Sequence, residues 1–418
     1  MAIDAAEVVV SPGTATVARR ALSPAAIGGR PVVESALARA ARGLLRTVAL
    51  GGALLALLHA AVPVHEFAPP TPFHGPEWTS PYRASPPVWQ RVSLHAHPDR
   101  EWWGALDDTS ERAILDEYDR LGFAAVAITD YMARRSPTPG AATLLHGYEH
   151  GFGWRKWHQL CFGGDAVEWL DYPLHQGIDE KQHVLDRLAA RHDFVVLAHP
   201  ALLDAYSLAD LRALHAYDAI EVLSPYADSV AHWDAALGAG RRGGAIATDD
   251  LHGLSRRRDH TRYSTYVDAD DRSPEALFAA LRAGRMTCAV TRVEPPPFQM
   301  TRHAIRAGRL EVAFTARVDR IDFFGRNGRL LQRAGPGTHA SLELPADEPY
   351  IRVEAATRKM RLLANPAVRT GGGVSPIVAA TVQPIATLTR AAALLLAAAL
   401  LGWFAWRGTL WPRAFDCA

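Results

Sequence analysis

Phe194-Val195-Val196-Leu197-Ala198-His199-Pro200 sets five apolar residues in a row before a histidine and a proline. Such a run suits a strand buried on both faces, and Pro200 ends its ladder because it has no N–H to donate. Three further runs read the same way: Ala124 to Thr129 (AAVAIT), Ala219 to Leu223 (AIEVL) and Gly244 to Thr248 (GAIAT). Between and beyond them, Thr109 to Leu121, Lys181 to Arg191 and Pro274 to Ala283 carry apolar residues at helical spacing. Strands alternating with helices predict an α/β fold with a parallel sheet, open or closed into a barrel, over roughly residues 91–298.

The pattern changes beyond that segment. Leu310 to Ala316, Arg320 to Phe324 and Tyr350 to Ala355 read as strands, with a turn at Gly325 to Gly328, so residues 299–372 predict a small β-sandwich. Toward the N-terminus, residues 65–90 are crowded with prolines and aromatics and read as a stiff linker. Thr47 to Val64 is uncharged and about long enough to span a bilayer; a cleaved signal sequence or a buried helix is the alternative. A second uncharged stretch, Ala391 to Trp406, carries Trp403 and Trp406 at one end, and the span is placed at 385–406. Residues 1–46 and 407–418 read as tails, the first of them disordered. The arginines outside the two spans place both tails in the cytoplasm, so the middle of the chain faces outward from a cell membrane.

Composition excludes several classes. The 418 residues are 49% hydrophobic and 21% charged, too apolar for a disordered chain. Forty-five basic and 44 acidic residues give a net charge of +1, so no field attracts nucleic acid and none is expected as a partner. Cys161, Cys288 and Cys417 are too few and too scattered for a disulfide scaffold or a zinc finger. The 18 histidines are the unusual figure, because 13 of them fall between positions 91 and 260.

Many of those histidines sit, with acids, where predicted strands end, the edge at which parallel α/β folds bind ligands. Val92-Ser93-Leu94-His95-Ala96-His97 is read as a strand presenting both imidazoles to one face. Thr129-Asp130 ends the next run, although an Asp there also suits a helix cap. Gly147-Tyr148-Glu149 places a carboxylate after an expected glycine turn, and His158 follows. His199 closes its strand, where a core histidine is the plainer alternative, and Asp249-Asp250-Leu251-His252 closes the last.

Taken in order, His95-x-His97, Thr129-Asp130, Gly147-x-Glu149, His158, Ala198-His199-Pro200 and Asp250-x-His252 resemble the successive motifs of the PHP (polymerase and histidinol phosphatase) superfamily of metal-dependent phosphoesterases. The resemblance covers about half the chain and implies a distorted seven-stranded β/α barrel. It also implies that His95, His97, Glu149 and Asp250 hold one ion, and that a bridging Glu149 with His158 and His199 holds a second. A third site would use His252 with a histidine directly after the Thr-Asp pair, but Tyr131 stands there. Trp102 and Trp103 fall where its other ligand is expected, and Asp99 or Asp107 would serve only in a rearranged loop. Tyr350-Ile351-Arg352-Val353-Glu354 and Asn365-Pro366 resemble the end of a small β-domain found in some members.

Mixed imidazole and carboxylate ligands suit Zn, Mn or Fe. Two divalent ions ~3.5 to 4 Å apart bring a shared water to hydroxide near neutral pH and stabilise both oxygens of a phosphoryl displacement. Asp130, Glu149 and Asp250 are the residues read as catalytic. Arg256 and Arg257, in a run continued by Arg258, and Arg262 are the candidates for phosphate, with a solvated loop or a lipid contact as the alternative. Trp102, Trp103, Trp154 and Trp157 line a pocket or merely pack at the rim. The expected activity is hydrolysis of phosphate mono- or diesters, on a phosphorylated small molecule or a lipid headgroup, by a membrane-anchored enzyme. A metal-stabilised scaffold without catalysis and a hydrolase of non-phosphate bonds are the competing readings.

Overall fold

A computed structural model describes residues 36–98, 110–134, 143–254, 261–371 and 380–410, with side chains to 407 in the last segment. The chain divides into two units, Met1–Gly51 with Gly402–Ala418, and Gly52–Leu401. Helix α1 (Ala36–Ala60) opens it and α7 (Pro384–Leu410) closes it, and both are long and apolar enough to cross a membrane. The first helix begins at Ala36, earlier than the expected span, and stops before Val64, because Pro63 has no N–H to continue the ladder.

In chain order the strands that follow are β1 (Trp89–Ser93), β2 (Ala125–Ile128), β3 (Thr143–His150), β4 (Gln159–Phe162), β5 (Phe194–Leu197), β6 (Ala219–Leu223) and β7 (Gly244–Ala247). They lie in this spatial order in one sheet. All pairings are parallel except those of β4, which runs antiparallel to both β3 and β5. β2, β4, β5, β6 and β7 are buried along their whole length, as their largely apolar runs require. Helices α2 (Glu111–Arg120), α3 (Ile178–Ala189), α4 (Leu208–Ala213), α5 (Val230–Gly238) and α6 (Pro274–Arg282) make the connections. Ser110 caps α2 by accepting the Ala113 N–H, and Ser273 caps α6 with Pro274 in its first turn.

Beyond β1 the sheet continues through β8 (Tyr263–Asp268) and β9 (Met286–Thr291). It curls back on itself, since the Thr265 hydroxyl of β8 donates to Ala247 O of β7 at 2.9 Å and accepts the Ala247 N–H at 3.0 Å. Next come β10 (Met300–Arg306), β11 (Arg309–Val318), β12 (Arg320–Phe324), β13 (Leu330–Ala334), β14 (Gly337–Glu343), β15 (Tyr350–Ala356) and β16 (Met360–Thr370). Backbone pairing does not break near residue 299, because β9 pairs β16 and the ladder runs on through β15, β12 and β13. A second sheet, β10-β11-β14, shares a core with those strands, including Phe314, Val318, Phe323, Ile351 and Leu362.

Residues 65–90 do not hang free. Glu77–Thr79 pairs with β16, Tyr82 OH donates to Met286 O at 2.6 Å, and Arg83 pairs with Asp268 at 2.7 Å. Prolines deny this segment a long ladder of its own, so side chains and short pairings, that of His65–Glu66 with Thr381–Val382 among them, hold it in place.

Candidate metal centre

Each candidate ligand lies near a strand end on the same side of the sheet. His95 and His97 do not share one strand: β1 stops at Ser93, and Ala96–His97 forms a short parallel pair with Leu251–His252. The imidazoles nonetheless converge, Nε2 to Nε2 at 3.1 Å. Gly147 makes no turn. It lies within β3 because the Phe162 ring covers it, and a Cβ there would stand 2.6 Å from Phe162 Cδ1. Gly151, at φ +123°, lets the chain double back, so that His158 enters beside Glu149 from the start of the antiparallel β4. His199 (φ 28°) and Asp250 (φ 43°) turn off the ends of β5 and β7 in a backbone region that side-chain-bearing residues rarely adopt.

Two donor groups result, sharing one carboxylate. Glu149 Oε2 lies 3.2 Å from His95 Nε2 and 3.0 Å from His97 Nε2, and Asp250 Oδ1 stands 3.1 and 3.4 Å from the same two nitrogens. Glu149 Oε1 faces the other way, against His158 Nδ1 and 3.4 Å from His199 Nε2. All six residues are buried. Four donors around an ion with bonds of about 2.1 Å stand about 3.4 Å apart. Among the described residues Asp250 Oδ1 finds no hydrogen-bond donor of good geometry despite its neighbours, and three buried carboxylates, Glu149, Asp250 and Glu221, converge on the imidazoles. Buried charges of one sign need cations, and this set fits divalent ones.

The electrostatics agree. Burial disfavours the charged form of His95, but Asp250, Glu149 and Glu221 outweigh it and raise the ring to about 10. Against the same burial, His199 is raised by Glu149, Glu221 and Asp250. Glu149 and Asp250 are pulled down despite burial, chiefly by His158 and His95 in the first and by His95 in the second. His158 is lowered by burial, which exceeds the pull of Glu149, with the Lys156 charge adding to the effect.

Asp130 lies two residues past β2 and is buried, and its carbonyl accepts the Glu149 N–H at 3.1 Å, tying the two acids through the backbone. His252 stands outside both donor groups. Its Nδ1–H donates to Asp250 O at 2.9 Å and its ring lies 4.6 Å from that of His97. Tyr131, at the position where the resemblance implied an imidazole, stacks on His97 at 4.8 Å and meets His158 edge-on at 5.3 Å. Arg256, Arg257, Arg258, Asp99, Trp102, Trp103 and Asp107 lie outside the described residues. Arg262 follows Thr261 and precedes Tyr263, whose N–H groups both donate to Asp249. Trp157 is buried and Trp154 is exposed, and the Cys161 thiol is buried and pushed up by that burial.

Sequence reasoning missed Glu221. It is fully buried in β6, its Oε1 accepts from His95 Nδ1 at 3.1 Å and from the Thr248 hydroxyl, and its Oε2 accepts the His199 N–H at 2.7 Å. The signal was present: a single acid inside the apolar run AIEVL must have a buried partner.

No family model matches the chain, and no curated protein matches it. Among solved structures, a two-domain protein from Bacteroides vulgatus containing a predicted PHP-like metal-dependent phosphoesterase is similar at 13% identity and a TM-score of 0.38, over 73% of this chain and 92% of that one.

Proposed function

We propose that the chain is a metal-dependent phosphoesterase of the PHP kind, acting on phosphate mono- or diesters, with a dinuclear centre on a curled sheet that we read as a distorted barrel. One observation carries this reading: Glu149 turns one oxygen to each of two buried donor groups, His95, His97 and Asp250 on one side and His158 and His199 on the other. Zn, Mn or Fe bound there would supply Lewis acidity and a nucleophile at neutral pH. The protein's part is orientation. Glu221 fixes the tautomer of His95 so that Nε2 faces the centre, and the backbone link from Asp130 holds Glu149 in place. Glu149 and Asp250, held ionised, would supply the negative charge that holds the cations. Arg256, Arg257 and Arg262 are proposed to meet the phosphate oxygens. We further read α1 and α7 as anchors in a cell membrane, with residues 91–298 and 299–372 as an outward-facing hydrolase domain and its β-domain, and both termini in the cytoplasm.

The test is elemental analysis of the purified full chain beside a phosphatase and phosphodiesterase screen with added Mn, Zn and Fe. The expected result is turnover with metal at both groups, and loss of both in His95→Ala and Glu149→Ala. Full turnover in either variant, or none in the parent at any loading, overturns the proposal.

A further inference from the structure

The loop between ligands Glu149 and His158 reads Gly151-Phe152-Gly153-Trp154-Arg155-Lys156-Trp157, aromatic residues interleaved with two cations in a chain that has only three lysines. Phe152 and Trp154 are 44% and 64% exposed, unusual for side chains of this size beside a buried centre. Trp169 (64%) and Leu174 (58%) extend the patch: the Phe152 and Trp169 rings stack at 6.5 Å, and Trp154 Nε1–H donates to Leu174 O at 3.2 Å. An apolar surface of this kind, kept in place by hydrogen bonds, marks an interaction site.

What covers it follows from where the segment leads. Tyr172, two residues before Leu174, places its ring 5.1 Å from that of His59 in the last turn of α1. Farther along, Asp179 bonds Arg390 of α7 at 3.1 Å, and Glu180 bonds both His59, at 3.1 Å, and Arg390. The segment that carries Trp169 and Leu174 therefore leads, through the buried Tyr172, directly to the point where His59 of α1 and Arg390 of α7 are fastened, and on the reading of these helices as spans that is the level at which they leave the hydrocarbon. Tryptophan prefers that headgroup level, and basic side chains there attract anionic lipid. Lys156 completes the picture, since its ammonium lies 5.6 Å from the Tyr131 ring and has no carboxylate partner among the described residues.

We propose that Phe152, Trp154, Trp169 and Leu174 seat in the headgroup layer of the bilayer that α1 and α7 cross, and that the ester brought to the centre is a phospholipid headgroup, with Lys156 meeting its phosphate. The substrate part rests on the phosphoesterase reading above; the seating does not.

The full chain in phosphatidylcholine and phosphatidylglycerol vesicles tests both parts. In a Cys417→Ser background, where Cys161 and Cys288 are buried, Trp154→Cys or Trp169→Cys carries an environment-sensitive fluorophore, and Leu330→Cys on β13 serves as control. Headgroup spin-labelled lipid is expected to quench the 154 and 169 probes well beyond the 330 probe, and equal quenching overturns the seating. The second arm compares phosphatidic acid with glycerol 3-phosphate, and phosphatidylglycerol with glycerophosphoglycerol, so that headgroup chemistry is constant and only the acyl chains differ. Preference for the acylated ester is expected, falling about tenfold in Phe152→Ser/Trp154→Ser, as the loss of a large apolar contact implies. Equal turnover of the paired esters overturns the lipid assignment. No turnover of any phosphoester defeats the phosphoesterase reading and the substrate part with it, while the quenching still decides the seating.

Discussion

Glu221 grips His95 from behind: its Oε1 lies 3.1 Å from His95 Nδ1, while its Oε2 takes the His199 N–H at 2.7 Å. One carboxylate therefore orients a ligand from each donor group. Glu221→Gln keeps the shape but loses the charge, and is expected to weaken metal binding by about 10- to 100-fold. Titration with a competing chelator reads this, and added metal should restore much of the turnover. Unaltered metal affinity would show that Glu221 merely fills the core.

Gly147 has no room for a side chain. Phe162, whose ring would meet the new methyl group, is itself wedged against Phe194 at 6.3 Å and Phe278 at 5.5 Å, so it has little freedom to retreat. Gly147→Ala is expected to cost about 1–3 kcal/mol. Because Glu149 lies two residues on in the same strand, metal occupancy should fall with the melting temperature. A variant as stable as the parent contradicts the packing described.

Asp234 on α5 accepts two bonds from Arg352 on β15, at 2.7 and 2.8 Å, and one from Tyr350 OH at 3.0 Å, all in a buried setting. Asp234→Ala strands the guanidinium and is expected to cost about 3–5 kcal/mol, whereas Asp234→Leu with Arg352→Met should recover most of that loss. Denaturant midpoints of the three proteins make the comparison. A double variant no better than the single one would mean that packing, not charge, holds this contact.

His65 supplies a pH dependence. Burial lowers its pKa, but Asp186 and Asp179 outweigh burial and raise it above the unfolded value. The folded chain thus binds this proton more tightly, so the stabilisation is complete below about pH 6.5 and is lost as pH rises through the higher folded value. His65→Gln should be about 2 kcal/mol less stable than the parent near pH 6, with the gap closing in alkaline solution. Thermal melts of both proteins across this range decide it; a gap independent of pH rules out the charged form.

Much of this was legible in the sequence because buried strands announce themselves. FVVLA, AIEVL and GAIAT became β5, β6 and β7 within a residue, since a short, largely apolar run has few other places to go. The convergence of these six side chains was legible for a related reason: histidines and acids near the ends of such runs fall on one sheet edge. Glycine was misleading at 147, where the deciding fact is a phenylalanine 15 residues later in the neighbouring strand. Nor does local pattern announce that residues 65–90 lie against the body, because their partners, Met286, Asp268 and β16, are remote in the chain.

The outer edge of β7 has a consequence for how this protein is divided in the laboratory. Ala247 finds its partner in the Thr265 hydroxyl, and Ala245 N–H finds its own in Asn365 Oδ1 at 2.9 Å, 120 positions along the chain. Side chains thus impersonate a missing neighbour strand for the very strand that leads to Asp250. A fragment cut near residue 299 would keep Thr265 but lose Asn365, leaving the Ala245 N–H open, and would also strip β9 of its partner β16, so its first fault would be self-association rather than lost chemistry.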